Sequence, residues 1–159
     1  MDAFLAALGT SGVAAFLRSS IYVYPVVNAL HILGLALLVG TVAALDARVL
    51  GFARTVPLRD AARLLLPVTI GGLLLAVLAG MALFVVKPQE YAANPVFLAK
   101  LCLILVAVAN AIWLRLRTDW AVALGGGPVA AGVKLSAALS LLLWVSVLTA
   151  GRMIAFFGY

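Results

Sequence analysis

Apolar residues in this chain come in long unbroken runs, not in the alternation of a strand or the one-sided stripe of a soluble helix. Four runs stand out, at about 21–45, 64–86, 96–116 and 133–157. Each is close to the ~20 residues that a helix needs to cross the hydrocarbon core of a bilayer. A fifth segment, 3–17, is shorter and is interrupted by Gly9, Thr10, Ser11 and Gly12. It predicts a helix lying along the interface. The expected fold is all-α: one transmembrane four-helix bundle over 1–159, with a short N-terminal interfacial helix. Pro25, Pro67 and Pro95 fall near the predicted helix ends, where a missing amide hydrogen costs least. LGGGP at 124–128 reads as a loop. It lacks the preceding strand and the following Lys-Ser/Thr of a phosphate loop.

Composition strengthens the membrane reading. The 159 residues are 67% hydrophobic and 10% charged, with a mean hydropathy of +1.26, whereas a soluble domain carries about 25% charged residues. The N-terminal MDAFLAALGTSG has an acidic start and no convincing cleavage site, so no cleaved signal peptide is expected. A lone cysteine, Cys102, excludes an intramolecular disulfide and a CxxC site. The net charge of +6 sits at the ends of the apolar runs. It forms no basic stripe interleaved with aromatics, so the lipid bilayer and not nucleic acid is the expected partner.

The same charges predict an orientation. Arg48, Arg54, Arg59 and Arg63 lie in the first connection, and Arg115, Arg117 and Lys134 in the third, against Arg18 and Lys87 on the opposite side. The positive-inside rule makes the richly basic loops cytoplasmic and puts both termini on the outer, periplasmic side of a bacterial inner membrane. Tyr22, Tyr24, Tyr91 and Tyr159 then form an outer aromatic belt, and Trp113 and Trp120 mark the inner boundary. Asp46 and Arg48 read as an ion pair at that inner boundary.

Against this background the few polar residues inside the runs become informative. NALHILGLALLVG, 28–40, holds the only histidine. Tyr24, Asn28 and His31 follow an i, i+4, i+7 pattern and share one helix face, and Gly34 removes bulk beside the imidazole. Alternating helix direction places His31, Lys100 and Arg152 at similar depth in the outer half, on three different helices. A lysine or arginine near the bilayer centre costs on the order of 3 kcal/mol. Lys100 and Arg152 are therefore either snorkelling anchors or members of a site, and His31 is either an interhelical hydrogen bond or a functional centre. Gly72, Ala76 and Gly80 form a smooth stripe that suits helix packing or a flat ligand.

One imidazole, one thiol and no carboxylate at this depth are too few for a protein-built zinc or copper cage, which needs three or four ligands. Haem needs fewer, because the macrocycle supplies four ligands and the protein only the axial ones. His31 is then the metal ligand, Met81 or Met153 lies at a compatible depth for the other axial position, and Lys100 and Arg152 pair with propionates. A proton relay through His31, Asn28, Tyr24 and Lys100 is a different class of answer. Nucleophilic catalysis has no support, since Cys102 lies in an apolar run without an activating partner.

YPVVNALHILGLALLVGTVAALDARVLG, NPVFLAKLCLILVAVANA and AGRMIAFFGY together resemble an uncharacterised family of small four-helix bacterial membrane proteins, over nearly the whole chain. The His in the first helix and the Lys-Leu at the start of the third are more distantly similar to CopD copper-resistance membrane domains and to HemJ-type protoporphyrinogen oxidases. That likeness implies functional roles for His31 and Lys100 and implies haem binding. The oxidase-like group also has a His late in the third helix, where this chain has Asn110. The leading expectation is a haem-b-binding inner-membrane protein for electron transfer or a porphyrin-linked redox step. A carrier or channel for copper or protons, using His31 and Lys100, is the alternative, and a structural subunit of a larger complex is a third. A site shared in a homo-oligomer would relieve the shortage of ligands, and a redox partner is the other expected partner.

Overall fold

Helix boundaries in the computed structural model, which describes residues 2–157, are set by local capping at each break in the apolar runs. α1 (Asp2–Gly9) and α2 (Gly12–Ser19) are separated at Thr10 and Ser11, and the Ser11 hydroxyl caps α2 by accepting from the Ala14 amide. The expected interfacial segment is thus two short helices. α3 (Val23–Leu50) ends at Gly51, whose φ of 111° only glycine adopts without strain. α4 (Leu58–Val86) stops before Pro88, which opens α5 (Pro88–Ala93). Asn94 caps α6 (Pro95–Leu116), its side chain accepting from the Val96 and Phe97 amides at 2.9 and 3.2 Å. α7 (Thr118–Leu124) and the glycine loop lead into α8 (Ala131–Phe157).

α3, α4, α6 and α8 are long and apolar enough to cross a membrane. This is the architecture of a multi-pass membrane protein. Its outer faces carry large apolar side chains in the open, among them Leu78 (65% exposed), Leu105 (69%) and Leu142 (67%). Water would penalise such a surface and lipid does not.

The helices pack side by side in the order α4–α3–α8–α6. The α3–α4 seam is the tightest. A Cβ on Gly34 would meet the Ala76 backbone nitrogen at 2.5 Å, and one on Gly72 would meet the Leu38 nitrogen at 2.6 Å. The Gly72–Ala76–Gly80 stripe is therefore a helix-packing surface, in which small residues let two backbones approach. A Thr41–Thr69 hydroxyl contact of 2.8 Å ties the same seam. α4 and α6 are bridged at their ends by α5 and α7. The Arg18 guanidinium closes the α2 end by donating to the Val86 carbonyl at 2.9 Å and the Gly9 carbonyl at 2.7 Å, so one cation satisfies the C-termini of two helices.

Several expectations need correction. Pro67 lies inside α4, not at its end, because the helix begins six residues before the apolar run. Arg59 and Arg63 are consequently helical, and the first turn between spans is only 51–57. Asp46 and Arg48 form no ion pair: residues two apart on a helix point to different faces. Arg48 Nε donates instead to the Val56 carbonyl at 2.5 Å, and Asp46 is buried in the bundle. Trp120 is not a boundary residue. α7 folds back so that its indole, 6% exposed, joins Leu45, Val49, Leu58 and Val133 in a core cluster. Trp113 is half exposed, with the Arg117 guanidinium over its ring.

Of the expected tyrosine belt, Tyr22 and Tyr24 are exposed, while Tyr91 packs against Phe84 and Phe97 with ring centroids 6.2 and 5.4 Å away. Burial raises the Tyr91 phenol above its usual value, and neighbouring Tyr24 adds to the rise. Beside it, a 2.9 Å hydrogen bond to Glu90 raises the Lys87 ammonium. Tyr159 lies outside the described residues.

Candidate functional site

The site builds up from the imidazole. His31 sits on α3 and its Nδ1 lies 2.8 Å from the Ala76 carbonyl of α4. A carbonyl can only accept, so this contact places a proton on Nδ1, and in the neutral imidazole Nε2 then carries the lone pair. Nε2 makes no hydrogen bond among the described residues. The ring lies against Gly80, where a Cβ would come within 3.0 Å of Cε1 and 3.3 Å of Nδ1. The glycine that makes room for the imidazole is thus Gly80 on the facing helix. Gly34, expected in that role, is buried against the Ala76 backbone instead.

Lys100 reaches the same region from α6. Its aliphatic chain crosses the smooth surface of Gly151 on α8, with Nζ 3.6 Å and Cε 3.7 Å from a Cβ placed there. It stands within electrostatic range of His31. Among the described residues it has neither a carboxylate partner nor a hydrogen-bond acceptor. Two contacts thus lie within electrostatic range of each other: His31 of α3 against Ala76 and Gly80 of α4, and Lys100 of α6 against Gly151 of α8.

The other expected members stand differently. Arg152 follows Gly151 directly and is exposed. Asn28 and Tyr24 are exposed on α3, one and two turns from the imidazole. Met81 is 61% exposed and Met153 37%. Cys102 is exposed on α6. Asn110 is committed within the bundle: its amide donates to the Ser136 carbonyl at 3.0 Å, and it accepts from the Ser136 hydroxyl at 2.9 Å. No three His, Cys, Asp or Glu side chains converge among the described residues.

Comparison with protein-family models, with curated proteins and with solved structures returns no match.

Chemically, the arrangement offers one neutral imidazole nitrogen as a metal ligand or proton acceptor. Beside it stands the Lys100 cation, without a counter-charge among the described residues, in surroundings too apolar to leave that cation unsatisfied at no cost. Both would be answered by a ligand that presents a metal and an anionic group together.

Proposed function

We propose that the chain is a haem-b-binding protein of the bacterial inner membrane, with both termini outside and His31 as an axial ligand. The observation that carries this reading is the Nδ1–Ala76 hydrogen bond. Ligating histidines characteristically tie their second ring nitrogen to a carbonyl or carboxylate, which fixes the tautomer and orients the ring. Here the tie is made across the tightest helix seam, so Nε2 is held ready.

The donor set fits the group. A macrocycle that brings four ligands asks the protein for only one or two, and this chain has one imidazole. Lys100 would pair with a propionate, and Arg152 is the second cation at that level. Gly80 and Gly151 keep the facing helix surfaces flat around the two side chains. Haem bound there would supply a one-electron couple, which suits electron transfer or a porphyrin-linked redox step. The likeness to HemJ-type oxidases and CopD domains at His31 and Lys100 points the same way. With Asn110 bonded to Ser136, a second protein ligand to haem would have to come from Met81, Met153 or a second copy of the chain in a homo-oligomer.

The full chain, expressed with ample haem and purified in detergent, should show a Soret band that shifts on reduction. His31→Ala should lose it, and Lys100→Ala should weaken it. Absence of the band from the native chain would refute haem binding, and its persistence in His31→Ala would refute the ligand. Copper retained in place of haem, and lost with His31, would favour the carrier reading.

A further inference from the structure

The opposite end of the bundle holds a buried acid that the His31 site does not use. Asp46 lies fifteen residues beyond His31 on α3, about 22 Å along the axis at 1.5 Å per residue. Its register continues the stripe of Leu38 and Val42. The side chain is 7% exposed, and Oδ2 has no hydrogen-bond partner among the described residues. The carboxyl forms part of the wall of a cavity of about 320 Å³ lined by residues of α3, α4, α6, α7 and α8.

Each neighbouring element contributes differently to that wall. From α8 the Ser140 hydroxyl lies beside the carboxyl. From α6 the Arg115 guanidinium is within electrostatic range but forms no ion pair with it. α4 supplies Thr69, which is already bonded to Thr41 and the Leu65 carbonyl, and no charged group. α7 supplies Trp120. Among the described residues Arg115 is thus the only charged residue besides Asp46 in the cavity wall, and it is exposed at the end of α6.

An unsatisfied buried oxygen costs about 1–3 kcal/mol, and such groups in native proteins have a reason. The cavity is roomy enough for several waters at about 30 Å³ each, and Asp46, Ser140 and Arg115 give them polar partners. On the His31 side of the cavity, Leu38, Ala107 and Val147 are buried in an apolar cluster with Leu143 and Trp144. We infer that Asp46 is a proton-exchange site within the bundle, served by water entering from the Arg115 end and sealed from the His31 end. On uptake an O–H bond of hydronium breaks, one forms at Oδ2, and water is left behind; on release the Oδ2–H bond breaks, and a water takes the proton and departs as hydronium. The inference is independent of haem at His31.

The test uses the full chain in lipid vesicles and dicyclohexylcarbodiimide, an apolar reagent that attacks protonated carboxyl groups and spares carboxylates. The chain has only five acidic residues, Asp2, Asp46, Asp60, Glu90 and Asp119, so peptide mass spectrometry resolves each. The adduct should form selectively at Asp46 and fall by up to about tenfold per pH unit on the alkaline side of its titration. The pH of the compartment facing Arg115 should set its yield, with the other compartment without effect. His31→Ala should label equally. No adduct at Asp46, a yield independent of pH, or control from the His31 side would each overturn the inference.

Discussion

Adding one methyl group to either of two glycines on the same helix should have opposite consequences. Gly34 and Gly40 both lie in α3. A Cβ at Gly34 would come within 2.5 Å of the Ala76 nitrogen, 2.9 Å of its Cα and 3.0 Å of the Gly72 carbonyl oxygen. All three are backbone atoms and cannot swing aside, so α3 and α4 must part locally by about 1 Å, an overpacking that costs about 1–3 kcal/mol. Parting them stretches the His31–Ala76 and Thr41–Thr69 contacts, both 2.8 Å long, and each interhelical hydrogen bond in a membrane is worth about 0.6 kcal/mol. Gly34→Ala should therefore destabilise the bundle by roughly 2–4 kcal/mol. At Gly40 nothing lies within 4 Å. There alanine brings only its better helix propensity, up to about 1 kcal/mol, so Gly40→Ala should be neutral or stabilising. Equilibrium unfolding of the full chain in mixed detergent and SDS, followed by far-ultraviolet circular dichroism, measures both. Equal stabilities would refute the close α3–α4 approach.

Two further outcomes follow from named contacts. Gly80→Ala should push the imidazole off the Ala76 carbonyl and lower haem affinity about 10–100-fold, as loss of a ligand's orienting partner does. Helical content should be unchanged, and full haem retention would show that Ala76 does not orient the ring. Burial of Tyr91 raises its phenol, so the folded state holds that proton more tightly than the unfolded chain. The resulting stability is complete below the ordinary tyrosine value of about 10 and is lost as pH rises through the folded value. Thermal denaturation on the alkaline side of pH ~10 should lower Tm more in the native chain than in Tyr91→Phe; an identical fall would exclude Tyr91 as its source.

The four spans were legible because length and continuous apolarity together make a one-dimensional signal. Their ends were not, since hydropathy reports solvent while helix ends are decided by backbone hydrogen bonds and caps. α4 runs through Arg59, Asp60 and Arg63 before its apolar stretch begins, and nothing in hydropathy marks those residues as helical. That His31 and Lys100 come within electrostatic range of each other was also legible, because alternating helix direction converts sequence position into depth. The glycine beneath the imidazole was not, because facing partners depend on how α3 and α4 cross.

Asp46 is the instructive case. Its neighbour Arg48 suggests a boundary ion pair, yet a two-residue offset turns side chains about 200° apart on a helix of 3.6 residues per turn. Leu38, Val42 and Asp46 recur at four-residue intervals from the buried Gly34, and that register alone directs the carboxyl inward and Arg48 away from it. Hydropathy places a polar residue along the membrane normal, but helical phase decides whether the bundle encloses it. Applied to α6, the same reasoning separates Asn110, turned to Ser136 within the bundle, from Ile112 and Trp113, which are about half exposed on its outer face.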